Sequence, residues 1–545
     1  MPPTSPPELS VIVPSYDRRD LLRRCLEALR TQTAPPESFE VIVADDGSTD
    51  GTAEMVAAFE APFRLRHLAL ENGGQPAALN AGIEAAEGGS CLFLDDDTIA
   101  SPELVATHLA AQRTGERTLG IGSLTQAVAP GADPYAIAFA RRWNERSESL
   151  SEPDWADCYS GNLSAPRAAL LEVGGFDASL PAVFDLEAAY RLCAAGCVPR
   201  YLPEAHAIHD DDKPGEKIIA AEARFGAFCA DFTGAHPEVT RRLIGWFSAT
   251  TAREVALRRA LLRLRVQPAK LAAAGRLLPG RARDTWLDFV SRYAFWSGVR
   301  SGMSRERWWQ TTAGVPVLMY HAFGEGDEHD RFVLPARSFA AQMRLLKRLR
   351  YRVITLEELA ARLRAGETLP RRTVALTIDD GYRDNFEVAQ PILERHGFTA
   401  TVYLVSKKLG GSNDWGDPGA LAGRPLLNRS QIEAMRAGGT RFGAHTRNHP
   451  RLTELEDAAV GEEIVGSRED LTELLGEEVE GLAYPYGLFD ERAVRAAGEA
   501  GYAAACTTEA RPARHWDDPL RIPRIEVEGS DSSLRFLRRL LLSGE

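Results

Sequence analysis

Residues 9–17 read Leu9-Ser10-Val11-Ile12-Val13-Pro14-Ser15-Tyr16-Asp17, a short apolar run rich in Val and Ile that ends in turn formers and a carboxylate. Beyond it, Leu21, Leu22, Cys25, Leu26 and Leu29 repeat at the spacing that puts side chains on one face of a helix. The strand pattern returns at 39–44 and 90–94, each time followed by turn residues. Strands and helices in alternation predict a parallel sheet covered by helices, with ligands gathered at the carboxyl ends of the strands.

Three of these strand ends are acidic: Asp17, then Asp45-Asp46-Gly47-Ser48-Thr49-Asp50, then Asp95-Asp96-Asp97. A single Asp after a strand is an ordinary turn former. Three sets in succession place several carboxylates along one edge of a sheet, which suits a nucleotide ribose or base and a divalent cation. A diphosphate leaving group needs that cation, because negative charge develops on it as a sugar departs.

Together with Asn72-Gly73-Gly74-Gln75-Pro76, Gly161-Asn162-Leu163-Ser164, Gly174-Gly175-Phe176-Asp177 and Phe184-Asp185-Leu186-Glu187, these motifs resemble family 2 glycosyltransferases of the GT-A fold. The resemblance covers about residues 8–215 and implies a Rossmann-like nucleotide-sugar domain, bounded here at 1–240. It implies that Pro14, Tyr16, Asp46, Asn80 and Asp96 bind the donor, with Asp46 at the nucleobase. Asp95 and Asp97 would hold Mg²⁺ or Mn²⁺, and His209 is a further candidate at that metal. Asp185 would be the base that deprotonates an acceptor hydroxyl, which means inversion at the anomeric carbon. The family usually has an acid where Phe184 stands, and a helix N-cap is the alternative reading of Asp185. The Gln-x-x-Arg-Trp motif and membrane helices of processive members are not evident, so transfer of one or a few sugars is expected.

A second series of strand signals runs through 315–320, 352–355, 373–378, 400–405 and 481–483. Asp379-Asp380-Gly381 ends one of them, and His445-Thr446-Arg447-Asn448-His449 follows. Two imidazoles and a carboxylate can hold a divalent metal while the other Asp takes a proton from water. Two His four apart also occur on ordinary helix surfaces, so the pairing with Asp-Asp-Gly carries the weight. These motifs resemble the polysaccharide deacetylases of carbohydrate esterase family 4, over about 315–530. The resemblance implies a distorted (β/α) barrel at 313–545, with Asp380, His445 and His449 as ligands to Zn²⁺ or another divalent transition metal. It makes Asp379 the base and gives the backbone N–H of Tyr486, in Tyr484-Pro485-Tyr486-Gly487, to the acetyl oxygen. The family's Arg at the start of that third motif is replaced by Ala483 and Tyr484, and Arg524 is a candidate substitute. No late Leu-x-His motif follows; His321, at the end of 315–320, is the expected general acid, as in the poly-N-acetylglucosamine branch, with a core or capping role as its alternative.

Between the two series, residues 241–312 read as a basic helical connector: thirteen Arg and Lys against four acids over 253–309, interleaved with Trp and aromatic residues. Such a segment is either a solvated linker or a surface for anionic lipid. With 545 residues and a net charge of −13, the chain is long enough for two domains and gives no case for nucleic acid. Seven scattered cysteines and no leader pattern lead to the expectation of a reduced, cytoplasmic protein, peripheral at the inner membrane face. The reading is a bifunctional enzyme that transfers sugar from a nucleotide-sugar donor to a glycan or lipid-linked acceptor and removes N-acetyl groups from an amino sugar. The alternative is an active deacetylase whose first domain only binds nucleotide or glycan.

Overall fold

The computed structural model describes residues 6–542 except 181, 211–212, 246–251, 313, 325–330, 366, 368–370 and 416–420. The chain divides into two compact units, residues 1–232 with 266–302, and residues 233–265 with 303–545. The first five residues, part of the Pro-rich start, and the side chain of Trp309 lie outside the description.

The first unit is built on an eight-stranded sheet in the order β3-β2-β1-β4-β7-β6-β8-β5. Its strands are β1 (Leu9–Ser15), β2 (Phe39–Asp45), β3 (Arg64–Ala69), β4 (Ser90–Leu94), β5 (Thr98–Ala100), β6 (Thr118–Gln126), β7 (Asn162–Pro166) and β8 (Val198–His209). The half that holds β1–β4 is parallel, as expected, whereas β7 runs antiparallel to both β4 and β6 and β5 antiparallel to β8. β1 explains its unbroken apolar run: Leu9, Val11 and Val13 face one core with Leu22 and Leu26, while Ile12 faces another with Leu79 and Ile83. A strand covered on both faces cannot alternate with polar residues.

The second unit is an all-parallel sheet, ordered β17-β16-β15-β14-β13-β9-β18 with β12 beside β13. These strands are β9 (Val317–Tyr320), β12 (Arg352–Ile354), β13 (Thr373–Ile378), β14 (Thr401–Leu404), β15 (Arg441–Ala444), β16 (Gly481–Ala483), β17 (Ala504–Cys506) and β18 (Ile525–Glu526); β10 (Ala322–Phe323) and β11 (Val333–Leu334) form a separate pair. The sheet curls until Cys506 meets Ile522 in a parallel bridge, which brings its two ends together. Val374, Leu376 and Ile378 pack on the outer core, so by the two-residue period Ala375, Thr377 and Asp379 point the other way, toward the barrel interior.

Residues 241–312, read from sequence as one connector, are shared between the units. The helix Ala252–Arg263 goes with the second unit, and Pro268–Gly275 and Gly280–Gly302 go with the first. The interleaved aromatics have a structural use there. Phe289, Tyr293, Phe295 and Trp296 are buried, and Trp286 donates to the carbonyl of Leu271 at 2.7 Å. Those four rings are therefore core residues and are not presented to a lipid surface. Among the described residues no helix is long and apolar enough to cross a membrane.

Glycine sets how closely the helix Gly280–Gly302 meets the helix Gly215–Ala235. A Cβ on Gly298 would lie 1.8 Å from the carbonyl oxygen of Ala223, and one on Gly226 would lie 2.0 Å from that of Phe295. Neither obstacle is a flexible side chain, so the helices would have to part. Gly298→Ala is expected to destabilise the first unit by about 3 kcal/mol, the upper end of overpacking costs. Scanning calorimetry of the full chain should show one transition moved down and the other unmoved; two unmoved transitions would refute this packing.

Candidate active sites

In the first unit, β1, β2 and β4 end beside one another and the carboxylates that follow them converge. Pro14, Tyr16, Asp46, Asp95, Asp96 and Asp97 line a cavity of about 200 Å³, joined by Arg18, Gln75, His209 and Lys213. Tyr16 is half exposed at its edge. Asp96 and Asp97 are buried, and their charges are answered by one guanidinium: Arg18 lies 3.1 Å from Asp96 and 2.6 Å from Asp97. His209 Nε2 lies 2.6 Å from Asp97 Oδ1 and 3.5 Å from Asp95 Oδ2. Burial would raise the Asp97 carboxyl, but the hydrogen bond and charge of His209 and the charge of Arg18 outweigh it and hold it below the usual range. Burial likewise opposes protonation of His209, yet hydrogen bonds and charges from Asp95 and Asp97 push it up to about 9. Asp96, dominated by burial, is pushed up to about 7 despite Arg18 and the Ser15 hydroxyl, which donates to it at 2.8 Å.

Asp95, Asp97 and His209 each offer one ligand atom within 4.8 Å of the others, a donor set of the kind a divalent ion takes. Asp185 is half-buried in the first turn of the helix Phe184–Ala194, whose N-cap is Val183, so it is not the cap itself. The backbone N–H groups of Ser160 and Leu186 donate to its two oxygens at 3.2 and 2.9 Å. Burial, aided by the Asp95 charge, nonetheless pushes it up to about 6.

Other acids of the sequence pattern hold loops together. Both oxygens of Asp46 accept from the backbone of Gly73 and Gly74, at 2.8 and 2.9 Å, so Asp46 shapes the cavity wall it lines. Asp17 accepts from the N–H of Thr49 at 2.7 Å and ties the first loop to the second. Asn80 is not among the cavity residues: its amide pairs with both the N–H and the C=O of Phe176, each at 2.8 Å. Arg18 and Lys213 were missed by sequence reasoning, although a base directly after Asp17 in an acidic cluster was a visible signal.

In the second unit, Asp379 and Asp380 follow β13, and His445 follows β15. His445 and His449 approach each other at 3.2 Å between their Nε2 atoms, and Asp380 Oδ1 lies 3.5 and 3.3 Å from them. Ligand atoms about 2.0–2.1 Å from a tetrahedral ion lie roughly 3.3–3.4 Å apart, so these three atoms fit one ion. Two observations support the fit. Asp380 Oδ1 is buried with no hydrogen-bond partner among the described residues. His445 Nδ1 donates to the carbonyl of Ala483 at 2.7 Å, which fixes the tautomer and leaves Nε2 as a free lone pair. The His-x-x-x-His spacing is not helical here: Thr446 and His449 adopt φ of 63° and 62°, and this loop folds His449 back onto His445. Asp380 and Tyr486 are also left-handed, at 71° and 58°. Such strain costs of order 1–3 kcal/mol each and persists where the surroundings over-determine it, as at functional sites.

Arg524 stands where the third-motif Arg is missing. Its two terminal nitrogens donate to the two oxygens of Asp379 at 2.6 and 2.8 Å, and Nε donates to the carbonyl of Thr507 at 3.0 Å. Burial raises the Asp379 carboxyl, but the charge of Arg524 overrides it and holds Asp379 down at about 2. His321, half-buried just after β9, is close enough for its charge to act on both Asp379 and Asp380. His515 instead packs edge to face on Trp516, in the loop after β17.

Both domains have counterparts among known proteins. Residues 10–167 match the family model for glycosyl transferase family 2, and residues 366–505 match that for polysaccharide deacetylase. The chain joins a family 2 glycosyl transferase domain to a polysaccharide deacetylase domain. The validoxylamine A glucosyltransferase of Streptomyces hygroscopicus subsp. limoneus is 30% identical over 280 residues, 46% of this chain and 60% of that protein. YxkH of Bacillus subtilis (strain 168), named only provisionally as a polysaccharide deacetylase, is 26% identical over 224 residues, 41% of this chain and 75% of that protein. The chain thus covers less than two thirds of that transferase. The deacetylase PplD of Streptococcus pyogenes, solved with acetate, superposes with a TM-score of 0.38 at 24% identity, covering 42% of this chain and 99% of that one.

Arg524→Ala would leave Asp379 as a buried carboxylate without its cation. Breaking such a pair typically costs about 3–5 kcal/mol. The second unit should melt markedly lower in calorimetry, with Arg524→Lys recovering part of the loss; an unchanged transition in the Ala variant would show that the pair is not needed for the fold.

Proposed function

We propose that the chain is a bifunctional carbohydrate enzyme, with inverting, metal-dependent sugar transfer in the first unit and metal-dependent N-deacetylation in the second. The observation that carries this reading is that each unit has its own cluster of ligand-forming side chains beside a separate carboxylate: Asp95, Asp97 and His209, partly buried, near Asp185, and Asp380, His445 and His449, all buried, beside Asp379. The donor is a nucleotide-sugar and the acceptor a glycan or lipid-linked sugar.

In the first unit Asp95 and Asp97 would hold Mg²⁺ or Mn²⁺, which when bound offsets the charge of the leaving diphosphate. Lys213 and Arg18 add fixed positive charge to the same cavity. Asp185 takes the proton of the acceptor hydroxyl as that oxygen bonds to the anomeric carbon and the bond to the diphosphate breaks.

In the second unit Asp380, His445 and His449 would hold Zn²⁺ or a similar ion, which when bound supplies Lewis-acid polarisation. Asp379, kept ionised by Arg524, takes a proton from the attacking water. The N–H of Tyr486 is assigned to the acetyl oxygen, where negative charge develops. His321 gives a proton to the departing nitrogen as the C–N bond breaks, releasing acetate and the free amine.

The two activities should separate by mutation. Asp97→Ala is expected to lose sugar transfer and keep deacetylation. His321→Ala is expected to keep its bound metal, keep sugar transfer and lose deacetylase turnover by about 10²-fold or more, the typical worth of general acid catalysis. His515→Ala should change little. Transfer, acetate release and metal content would be measured for all three; metal loss in His321→Ala, or a larger rate loss in His515→Ala, would overturn the assignment.

The transfer reaction also has an expected pH dependence. A base must be unprotonated, and Asp185 is pushed up to about 6, so activity is present above that value and lost as pH falls through it. Below the midpoint, the rate should drop about tenfold per pH unit. A profile of kcat/KM that stays flat from pH 7.5 to 5 would remove Asp185 as the base.

A further inference from the structure

We propose that Arg451 makes the second site selective for amino sugars that carry a negative group, a phosphate or carboxylate, close to the acetamido group. This rests on the deacetylase reading above. The His449 ring lies against Trp415, centroids 5.0 Å apart, and against Tyr486, at 4.6 Å. Tyr486 is 40% exposed, so an aromatic face borders the ligand cluster at the surface. Arg451 lies over that face, its guanidinium carbon 4.7 Å from the ring centroid of Tyr486. These two contacts end to end bring the guanidinium to within about 9 Å of the His449 ring.

The charge of Arg451 is poorly answered by the protein. Its ion pair with Glu454 stretches to 4.0 Å, and the Arg451 side chain is about half exposed. Several other cations of this unit are closed by a carboxylate at hydrogen-bond distance: Arg331 by Glu526 at 2.6 Å, Arg424 by Asp384 at 2.7 Å and Lys408 by Asp414 at 2.7 Å. A guanidinium can rest its face on a ring while its N–H edge remains available to a planar or tetrahedral anion. The chain as a whole carries −13, so its general field repels an acidic glycan and attraction has to come from a local cation beside the reaction centre. Arg451 is in that position, its guanidinium no more than about 9 Å from the His449 ring, a span that a phosphate or carboxylate on the same sugar can bridge.

The test uses the metal-loaded full chain with three probes: methyl N-acetylglucosaminide as the neutral sugar, N-acetylglucosamine 1-phosphate, and N-acetylmuramic acid. Acetate release is expected to show kcat/KM at least tenfold higher for one or both anionic probes than for the neutral one, and the larger value identifies phosphate or carboxylate as the group read. Arg451→Ala should collapse that ratio toward one, mainly through KM, and Arg451→Lys should keep part of it. Added salt should shrink the ratio in the parent chain and not in the Ala variant, because an exposed charge is screened. A parent ratio near one, or a ratio that survives Arg451→Ala, overturns the proposal. If no probe releases acetate, the deacetylase reading itself fails. Calorimetric binding of N-acetylglucosamine 1-phosphate to the parent and Arg451→Ala chains then decides the anion preference alone: at least tenfold weaker binding in the variant supports it, and equal binding sinks it.

Discussion

Burying a carboxylate at the end of a β-strand costs several kcal/mol unless a cation and hydrogen bonds answer it, and both units are organised around that requirement. In the first, Asp96 and Asp97 leave β4 already buried, and Arg18 spans them from the loop after β1 while His209 reaches Asp97 from the end of β8. In the second, Asp379 leaves β13 toward the barrel interior, and Arg524 meets it there with both guanidinium nitrogens. The cations come from distant parts of the sequence, so the sheet must be assembled before the acids are neutralised. Strand order and site are thus one constraint.

That dependence explains what could be read from the sequence. The strands at Ser90–Leu94, Thr373–Ile378 and Gly481–Ala483 coincide with the sequence pattern, and β1, β2 and β14 differ only at their ends. Continuous apolar runs with turn residues after them are local information. The acids that follow are local too, which is why Asp95–Asp97 and Asp379–Asp380 stand out. Their partners are not local: Arg18 is 78 residues from Asp96, and the His445–His449 loop depends on two left-handed residues, Thr446 and His449, that no spacing rule announces. Asp46 and Asn80 have a structural use that the motifs do not announce, since their side chains are engaged with the backbone of Gly73, Gly74 and Phe176.

The basic connector was legible in composition and not in use. Its aromatic residues look alike in sequence whether they meet lipid or protein. Gly298 distinguishes the cases, because a helix that brings a backbone carbonyl to where its Cβ would be is packed on another helix. Of the thirteen cations Arg258 is buried and the other twelve are half-buried or exposed, and a polar face opposite an apolar one needs no membrane to explain it.

The two proposed bases differ in strength. Asp185, at about 6, accepts a proton from an acceptor hydroxyl whose oxygen is already bonding to an electron-poor anomeric carbon, which acidifies it. Asp379, at about 2, is a far weaker base. The gap from Asp379 to free water is roughly 14 pKa units. No arrangement of Arg524 closes that gap, because the guanidinium lowers the base further. A carboxylate held so low is useful only where its neighbours make the water much more acidic. The cluster of Asp380, His445 and His449 at 3.2–3.5 Å is the feature of the site able to do that. On the proposed reading Arg524 contributes the orientation and ionisation of Asp379, and an ion held by the ligand cluster would supply the acidity of the water. By that reading the second unit would depend on an ion more strictly than the first, where Arg18, Lys213 and the strength of Asp185 already supply part of what the reaction demands.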